Sequence, residues 1–313
     1  MPAEEKLRET LARFVRGGRL SHAVLIEGPP GCGGKETALW LASMLLCREK
    51  DAPCGKCSVC RRIADGNHPD VEIVTGEGRG GEIKIDQIRG IREELWLSPN
   101  EADERIFILP DIDDMNVSAQ NAFLKSLEEP PPFVRFIMTC RNSGALLDTI
   151  VSRVSVFTLD PPTPAECEKE LRRRFPGADG DDAALAAVAF DGSVGAAADA
   201  LSGEGGLTLS RLALETLLSI KGGREYAAMA GLAKNAAGRD EFLEFLARLR
   251  TLSMAAALPR REGPAQRVFH GAVTQKDAVR AVDAVPRAVT ALESNCSPEL
   301  TAVWLCGELS GGA

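Results

Sequence analysis

An apolar run, Ala23-Val24-Leu25-Ile26, passes through Glu27 into a glycine-rich turn, Gly28 to Gly34. The turn opens onto a helical pattern, Glu36 to Leu46, with Trp40, Met44 and Leu45 on its buried side. This segment constrains the chain more than any other. The glycines let the backbone turn sharply and gather its N–H groups, and a helix must then carry the chain back across a sheet. The expectation is an α/β domain of the nucleotide-binding kind.

The following segments extend that pattern. Residues 4 to 16 read as an amphipathic helix through Leu7, Leu11, Phe14 and Val15. Val71 to Val74 is a strand, and Ile83-Lys84-Ile85 a short extended piece, after which Asp86 is expected to cap a helix from Gln87 to Leu95. Arg105 to Leu109 and Arg135 to Thr139 are continuous apolar strands of the kind a buried parallel sheet needs. Between them Ser118 to Glu128 is a helix stopped by Pro130-Pro131-Pro132, and Val154 to Phe157 is the last strand. The alternation predicts a parallel sheet with helices on both faces.

The character changes at Asp160-Pro161-Pro162-Thr163-Pro164, where proline-rich sequence ends the strand patterns. Helical patterns follow over Glu166 to Phe175, Asp181 to Ala189 and Val194 to Leu201, then a break at Gly203-Glu204-Gly205-Gly206, then helices from Leu207 to Leu309. With 313 residues the chain has room for two or three domains. The expected boundaries are 1–162 for the sheet domain, 163–204 for a small helical domain and 205–313 for a larger one.

A net charge of −8 argues against a protein that grips nucleic acid by bulk charge. Neither a signal peptide nor an apolar run of bilayer length is visible, so a cytosolic protein is expected. Cysteines in that setting read as metal ligands or reduced thiols.

A phosphate loop has the form G-x-x-x-x-G-K-[ST]. Gly28 and Gly33 fit its glycines, which puts Gly34 at the lysine position and Lys35 at the hydroxyl position. A one-residue insertion would instead bring Lys35 and Thr37 to the phosphates. The candidate binding residues are Gly28, Gly31, Gly33, Gly34 and Lys35, in a loop expected to be degenerate. The acidic strand end agrees. An ATPase places a Mg²⁺-binding carboxylate after an apolar strand; here Ile106 to Leu109 is followed by Pro110 at that position and by Asp111 at the water-activating one, and the alternative for Asp111, Asp113 and Asp114 is a solvated loop with a helix cap.

Cys47, Cys54, Cys57 and Cys60 have the spacing C-x6-C-x2-C-x2-C. Short C-x2-C turns let two thiolates meet one ion without strain, and four sulfurs close a tetrahedron, so a structural Zn²⁺ is expected. Arg48, Lys50, Lys56, Arg61 and Arg62 around it leave a nucleic-acid-binding zinc module as an alternative, although the aromatic residues that stack on single strands are missing. Arg153, after Ser152, is open to two readings: a surface salt bridge, or a cation presented to the phosphates of a neighbouring subunit.

Asn121-Ala122-Phe123-Leu124-Lys125-Ser126-Leu127-Glu128-Glu129-Pro130-Pro131 resembles the N-A-L-L-K-x-L-E-E-P-P signature of the bacterial clamp-loader AAA+ family of DNA polymerase III. Ser21-His22-Ala23, the four-cysteine insert, Gly66-Asn67-His68-Pro69-Asp70 and Asp148-Thr149-Ile150-Val151-Ser152-Arg153 match it too. The resemblance is dense over residues 1 to about 165. It implies a RecA-like AAA+ domain with a zinc insert, a small helical lid and an all-α collar. It also implies partners: the gamma/tau motor subunits and a delta subunit, and through them the sliding clamp and primed DNA. The family's Ser-Arg-Cys motif stands here as Ser152-Arg153-Val154, so an arginine finger acting in trans is carried onto Arg153. The degenerate loop implies the non-hydrolysing, stator-like kind of member. An active motor ATPase working through Lys35 and Asp111 is the rival.

Overall fold

The structure, a computed structural model, describes residues 2–76, 82–203, 206–219, 238–259, 261–270 and 273–310. It divides into two compact units, Met1–Pro161 and Pro162–Ala313. In the first, α1 (Pro2–Arg16) precedes β1 (Ala23–Glu27), α2 (Gly34–Leu46) and α3 (Ser58–Ala64). Then come β2 (Val71–Ile73), α4 (Ile85–Glu94), β3 (Arg105–Leu109), α5 (Val117–Glu128), β4 (Val134–Cys140), α6 (Asp148–Val151) and β5 (Ser155–Thr158).

The strands form one parallel sheet in the order β2-β3-β4-β1-β5. Period-two alternation splits each strand between two apolar layers. Ala23 and Leu25 of β1 join Phe107, Phe136, Ile88, Phe123 and Ile150 on one face. Val24 and Ile26 join Ile106, Ile137, Leu11, Leu41 and Ile63 on the other. Thus α1 to α3 cover one side of the sheet and α4 to α6 the opposite side. Because β1 lies beside β4 and β4 beside β3, the turn after Glu27, the loop after Leu109 and the residues after Cys140 share one edge of the sheet. Ligands of open parallel sheets bind at this edge.

One expected helix start is misplaced. Lys84 is extended as expected, but the cap is not Asp86. The helix already begins at Ile85, Asp86 lies in its first turn, and Lys84 is the cap residue. The Lys84 backbone N–H donates to Gln87 Oε1 at 3.0 Å, which supplies the start that Asp86 was expected to provide.

The Gly66-to-Asp70 motif is a fastener. Asp70 is 1% exposed. Its carboxylate accepts hydrogen bonds from the backbone N–H groups of Asn100, Glu101 and Ala102, and from Asn100 Nδ2. His68, also buried, accepts the Asp70 N–H at Nδ1, 3.2 Å away, and its Nε2 lies 3.2 Å from Glu101. Burial alone would raise the Asp70 carboxyl, but the donors outweigh it and hold it below the usual carboxylate range. A depressed folded value means stability that is present above the unfolded value of about 3.9 and lost as pH falls through the folded one. Asp70→Asn removes the charge and turns amide hydrogens toward buried donors. It should cost about 3 kcal/mol, read as a lower denaturation midpoint at neutral pH. The gap between variant and wild type should close on acidification.

The second unit is helical: α7 (Pro164–Arg174), α8 (Gly180–Ala189), α9 (Val194–Ser202), α10 (Thr208–Ser219), α11 (Arg239–Ala257), α12 (Pro264–Phe269), α13 (Gln275–Glu293) and α14 (Pro298–Ser310). Thr163 and Glu166 cap α7 reciprocally, with Pro164 at its first position. One apolar cluster joins Leu185 and Val188 of α8 to Phe242, Phe245 and Leu249 of α11, Phe269, Val285 and Leu305. Glu204 and Gly205 of the expected second break, and 220–237 of the helical stretch after it, lie outside the described residues. None of the described helices is long and apolar enough to cross a membrane.

Candidate functional site

The glycine-rich turn begins where β1 stops. The Gly28 N–H donates to Cys140 O at 3.0 Å and the Leu159 N–H to Glu27 O at 2.7 Å, which clamps the turn between two neighbouring segments. A Cβ at Gly28 would stand 2.9 Å from the Leu159 carbonyl oxygen, so only glycine fits. Gly31 and Gly33 have φ of 75° and 95°, and Gly33 is the N-cap of α2. Gly33 is followed at once by Gly34, the first helical residue, so in the register that starts at Gly28 the lysine position falls on the first residue of α2. Thr37, which a shifted loop would use, is fully buried inside α2. The turn also has a neighbour that the sequence did not suggest. A Cβ on Gly33 would lie 3.5 Å from the carboxyl carbon of Glu4 on α1. A phosphate brought to Gly33 would meet that carboxylate.

Beyond β3 the chain turns at Pro110, which offers no side-chain ligand, and at Asp111, whose φ of 52° is left-handed. The Asp111 N–H donates to Thr139 Oγ1 at 3.0 Å. Burial, then the charges of Asp113 and Asp114, push the Asp111 carboxyl up. Asp111 is nonetheless exposed and stands at the N-cap of the short turn Ile112–Asp114, as a solvated loop with a cap would have it, but Asp113 departs from that reading. The Asp113 side chain is only 5% exposed, and Arg141 Nε donates to it at 2.6 Å while Arg141 Nη2 pairs with Asp114. Hydrogen bonds to those two carboxylates raise the Arg141 guanidinium. A side-chain cation thus already pairs with both carboxylates that follow Asp111.

The four cysteines lie on the same unit. Cys47 ends α2, and Cys57 caps α3. The four sulfurs lie within 4.8 Å of one another, and Cys47 Sγ and Cys57 Sγ are 3.9 Å apart. A tetrahedral site with metal–sulfur bonds of about 2.3 Å has its sulfurs about 3.8 Å apart, so the group fits one ion and leaves no open position. The donor chemistry fits as well. The N–H of Cys57 points at Cys54 Sγ (3.3 Å) and that of Cys60 at Cys57 Sγ (3.4 Å). Backbone N–H groups of Lys56 and Cys57 bring the Cys54 thiol down to about 7. Burial pushes Cys60 up to about 12, so a cation must displace its proton. Of the surrounding basic residues, Arg48 pairs with Asp103 and Arg62 with Glu101, which leaves less of a basic face for nucleic acid.

Arg153 follows α6 and is half-exposed. Its Nη2 is 2.8 Å from Glu128 Oε1, and its Nη1 donates to Thr149 O at 2.8 Å. It stands far along the chain from the turn and from the cysteines, and the structure does not join it to either.

The sequence signature described as "DNA polymerase III, delta subunit" matches residues 3–163, half of the chain. The chain belongs to this family. The delta' subunit of Escherichia coli DNA polymerase III is 30% identical over 293 residues, 93% of this chain and 81% of that protein. The Bacillus subtilis delta' subunit is 36% identical over 169 residues. The matched stretch is 54% of this chain and 51% of the Bacillus protein, so the chain spans about half the length of that relative. A gamma subunit-related protein of Thermotoga maritima shares the fold, with a TM-score of 0.54 and 21% identity over 97% of this chain and 98% of that one.

In this delta-family chain the cysteine group and the turn are where local spacing put them. Arg141 and Glu4 were missed. A cation following one strand and an acid pair following another become partners only once β3 and β4 are known to be neighbours. Glu4 comes near Gly33 only through the packing of α1 on the sheet.

Proposed function

We propose that this chain is the non-hydrolysing, delta-prime-like subunit of a bacterial clamp loader, acting in a cytoplasmic complex with gamma/tau motor subunits and a delta subunit. Through them it would help to place the sliding clamp on primed DNA. The observation that carries this reading is that Gly34 stands at the lysine position at the start of α2 and Pro110 at the Mg²⁺-ligand position after β3. Phosphoryl transfer depends on a divalent ion and a lysine to absorb charge on the transferred group, and neither has a seat here.

The remaining assignments follow from that reading. The four cysteines hold one structural Zn²⁺ that ties α3 to the end of α2. Residues 1–162 form the AAA+ domain, 163–204 a lid and 205–313 a collar that joins the other subunits. Arg153 faces a neighbour's ATP. The gamma and tau relatives of Buchnera aphidicola and Bacillus subtilis, 31% identical over 144 and 156 residues, support membership of such a complex.

The test has two arms. The chain alone with MgATP should turn over no faster than the blank, and Gly34→Lys should not restore activity because Pro110 still leaves the metal without its carboxylate. Mixed with the motor and delta subunits of its own organism, it should co-elute as one complex. Robust hydrolysis by the isolated chain, abolished by Lys35→Ala, would establish the motor reading instead. Failure to co-elute would remove the clamp-loader reading.

A further inference from the structure

The loop that carries Arg153 and the end of α5 meet in a contact that the function above does not yet use. Glu128 is the last residue of α5, and its Oε1 lies 2.8 Å from Arg153 Nη2. On the other side Arg153 Nη1 donates to Thr149 O (2.8 Å) and to Ser152 Oγ (3.3 Å). These contacts restrain the planar guanidinium at both terminal nitrogens.

The platform beneath Glu128 is itself fixed at two points. His22 Nε2 lies 3.0 Å from the carbonyl oxygen of Leu127, next to Glu128, and His22 O accepts from the Phe136 N–H at 2.8 Å. At its buried centre α5 holds the arginine segment directly: the Leu147 N–H donates to Gln120 Oε1 at 2.9 Å. Ser21-His22-Ala23, far away in sequence, thus meets the end of α5 one residue before the carboxylate that pairs with the arginine.

We infer that Glu128 is a positioning residue for Arg153, holding the guanidinium in the orientation it uses on a neighbouring subunit's nucleotide. This rests on the arginine-finger reading above. An exposed ion pair contributes little to stability, so folding does not explain the arrangement. A long surface arginine left to itself samples many rotamers, and a catalytic group that is not pre-aimed loses rate steeply with misplacement.

The test uses the reconstituted complex, MgATP and the variants Glu128→Ala, Arg153→Ala and the double variant. Glu128→Ala should slow the one ATP site that meets Arg153 by on the order of tenfold, since a shift of about 1 Å costs about a hundredfold in the worst case, and the complex should lose most of that site's share of total kcat. KM for ATP should not move, and the double variant should be no slower than Arg153→Ala alone. If Arg153→Ala itself turns over at the wild-type rate, the finger reading falls and the inference with it. If Arg153→Ala is slow but Glu128→Ala is unchanged or faster, the finger stands and the positioning role is overturned. Losses that multiply in the double variant, or a change in KM alone, would also overturn it, because Glu128 would then act elsewhere.

Discussion

Arg153→Ala should slow DNA-stimulated ATP turnover and clamp loading by the assembled complex while leaving its assembly intact. An arginine that stabilises charge on a transferred phosphoryl group is worth about 10³–10⁵ in rate. A complex with several ATP sites should lose less in total, because only one of them meets this side chain. The competing explanation is that Arg153 belongs to a surface pair with Glu128. Magnitudes separate the two. An exposed pair is worth about 1 kcal/mol or less, so that explanation predicts a small change in stability and none in rate. The finger explanation predicts the reverse. Arg153→Lys should rescue poorly, because a lysine ammonium cannot present two parallel donors. Steady-state ATPase and loading assays on the reconstituted variant complex read this directly. Wild-type rates in Arg153→Ala would reduce the residue to its salt bridge.

How much was legible in the sequence depended on the range of the interaction responsible. The strands were legible because a strand buried on both faces must be apolar at successive positions, as Ile106 to Leu109 are. The cysteine group was legible because its ligands lie close together along the chain and their spacing is itself the geometry. Ile83-Lys84-Ile85 misled because an apolar-polar-apolar triplet reads the same in a strand and at a helix start. The hydrogen bond between the Lys84 N–H and Gln87 Oε1 decided for the helix. The phosphate turn was legible only up to its register. Two placements of Lys35 fit the letters, and the structure adds the left-handed backbone at Gly33 and the start of α2 at Gly34. Charge partners were the least legible. Arg141 with Asp113 and Arg153 with Glu128 each bridge more than twenty positions of chain, and nothing in a linear sequence says which acid an arginine will meet.

Removing the metal should have the second large effect, and on stability rather than on chemistry. α3 has seven residues, Ser58 to Ala64, fewer than the roughly 12–15 that an isolated helix needs to be even marginal in water. Its hold on the domain is the cysteine group at its start, Ile63 in the sheet-covering layer, and the pairing of Arg62 with Glu101. One Zn²⁺ per chain is expected after purification under reducing conditions. Cys57→Ser removes one of the four sulfurs while leaving a hydroxyl that can still cap α3, so its cost reads the metal and not the cap. It should abolish stoichiometric zinc and cost about 3 kcal/mol, which for a unit of this size lowers Tm by about 6–12 °C. The loss should be local: amide exchange should accelerate through 47–64, while β1, β3 and β4, whose core does not touch the sulfurs, stay protected. Acid should reproduce it, because protons compete with the metal for thiolates, and Cys60, at about 12 without a cation, should be among the first to take one back. Cys296→Ser, in the helical unit and outside the group, is the control and should change neither zinc content nor Tm in this unit. A chain free of metal as purified, or a Cys57→Ser variant that melts with the wild type, would show that these sulfurs are only neighbours.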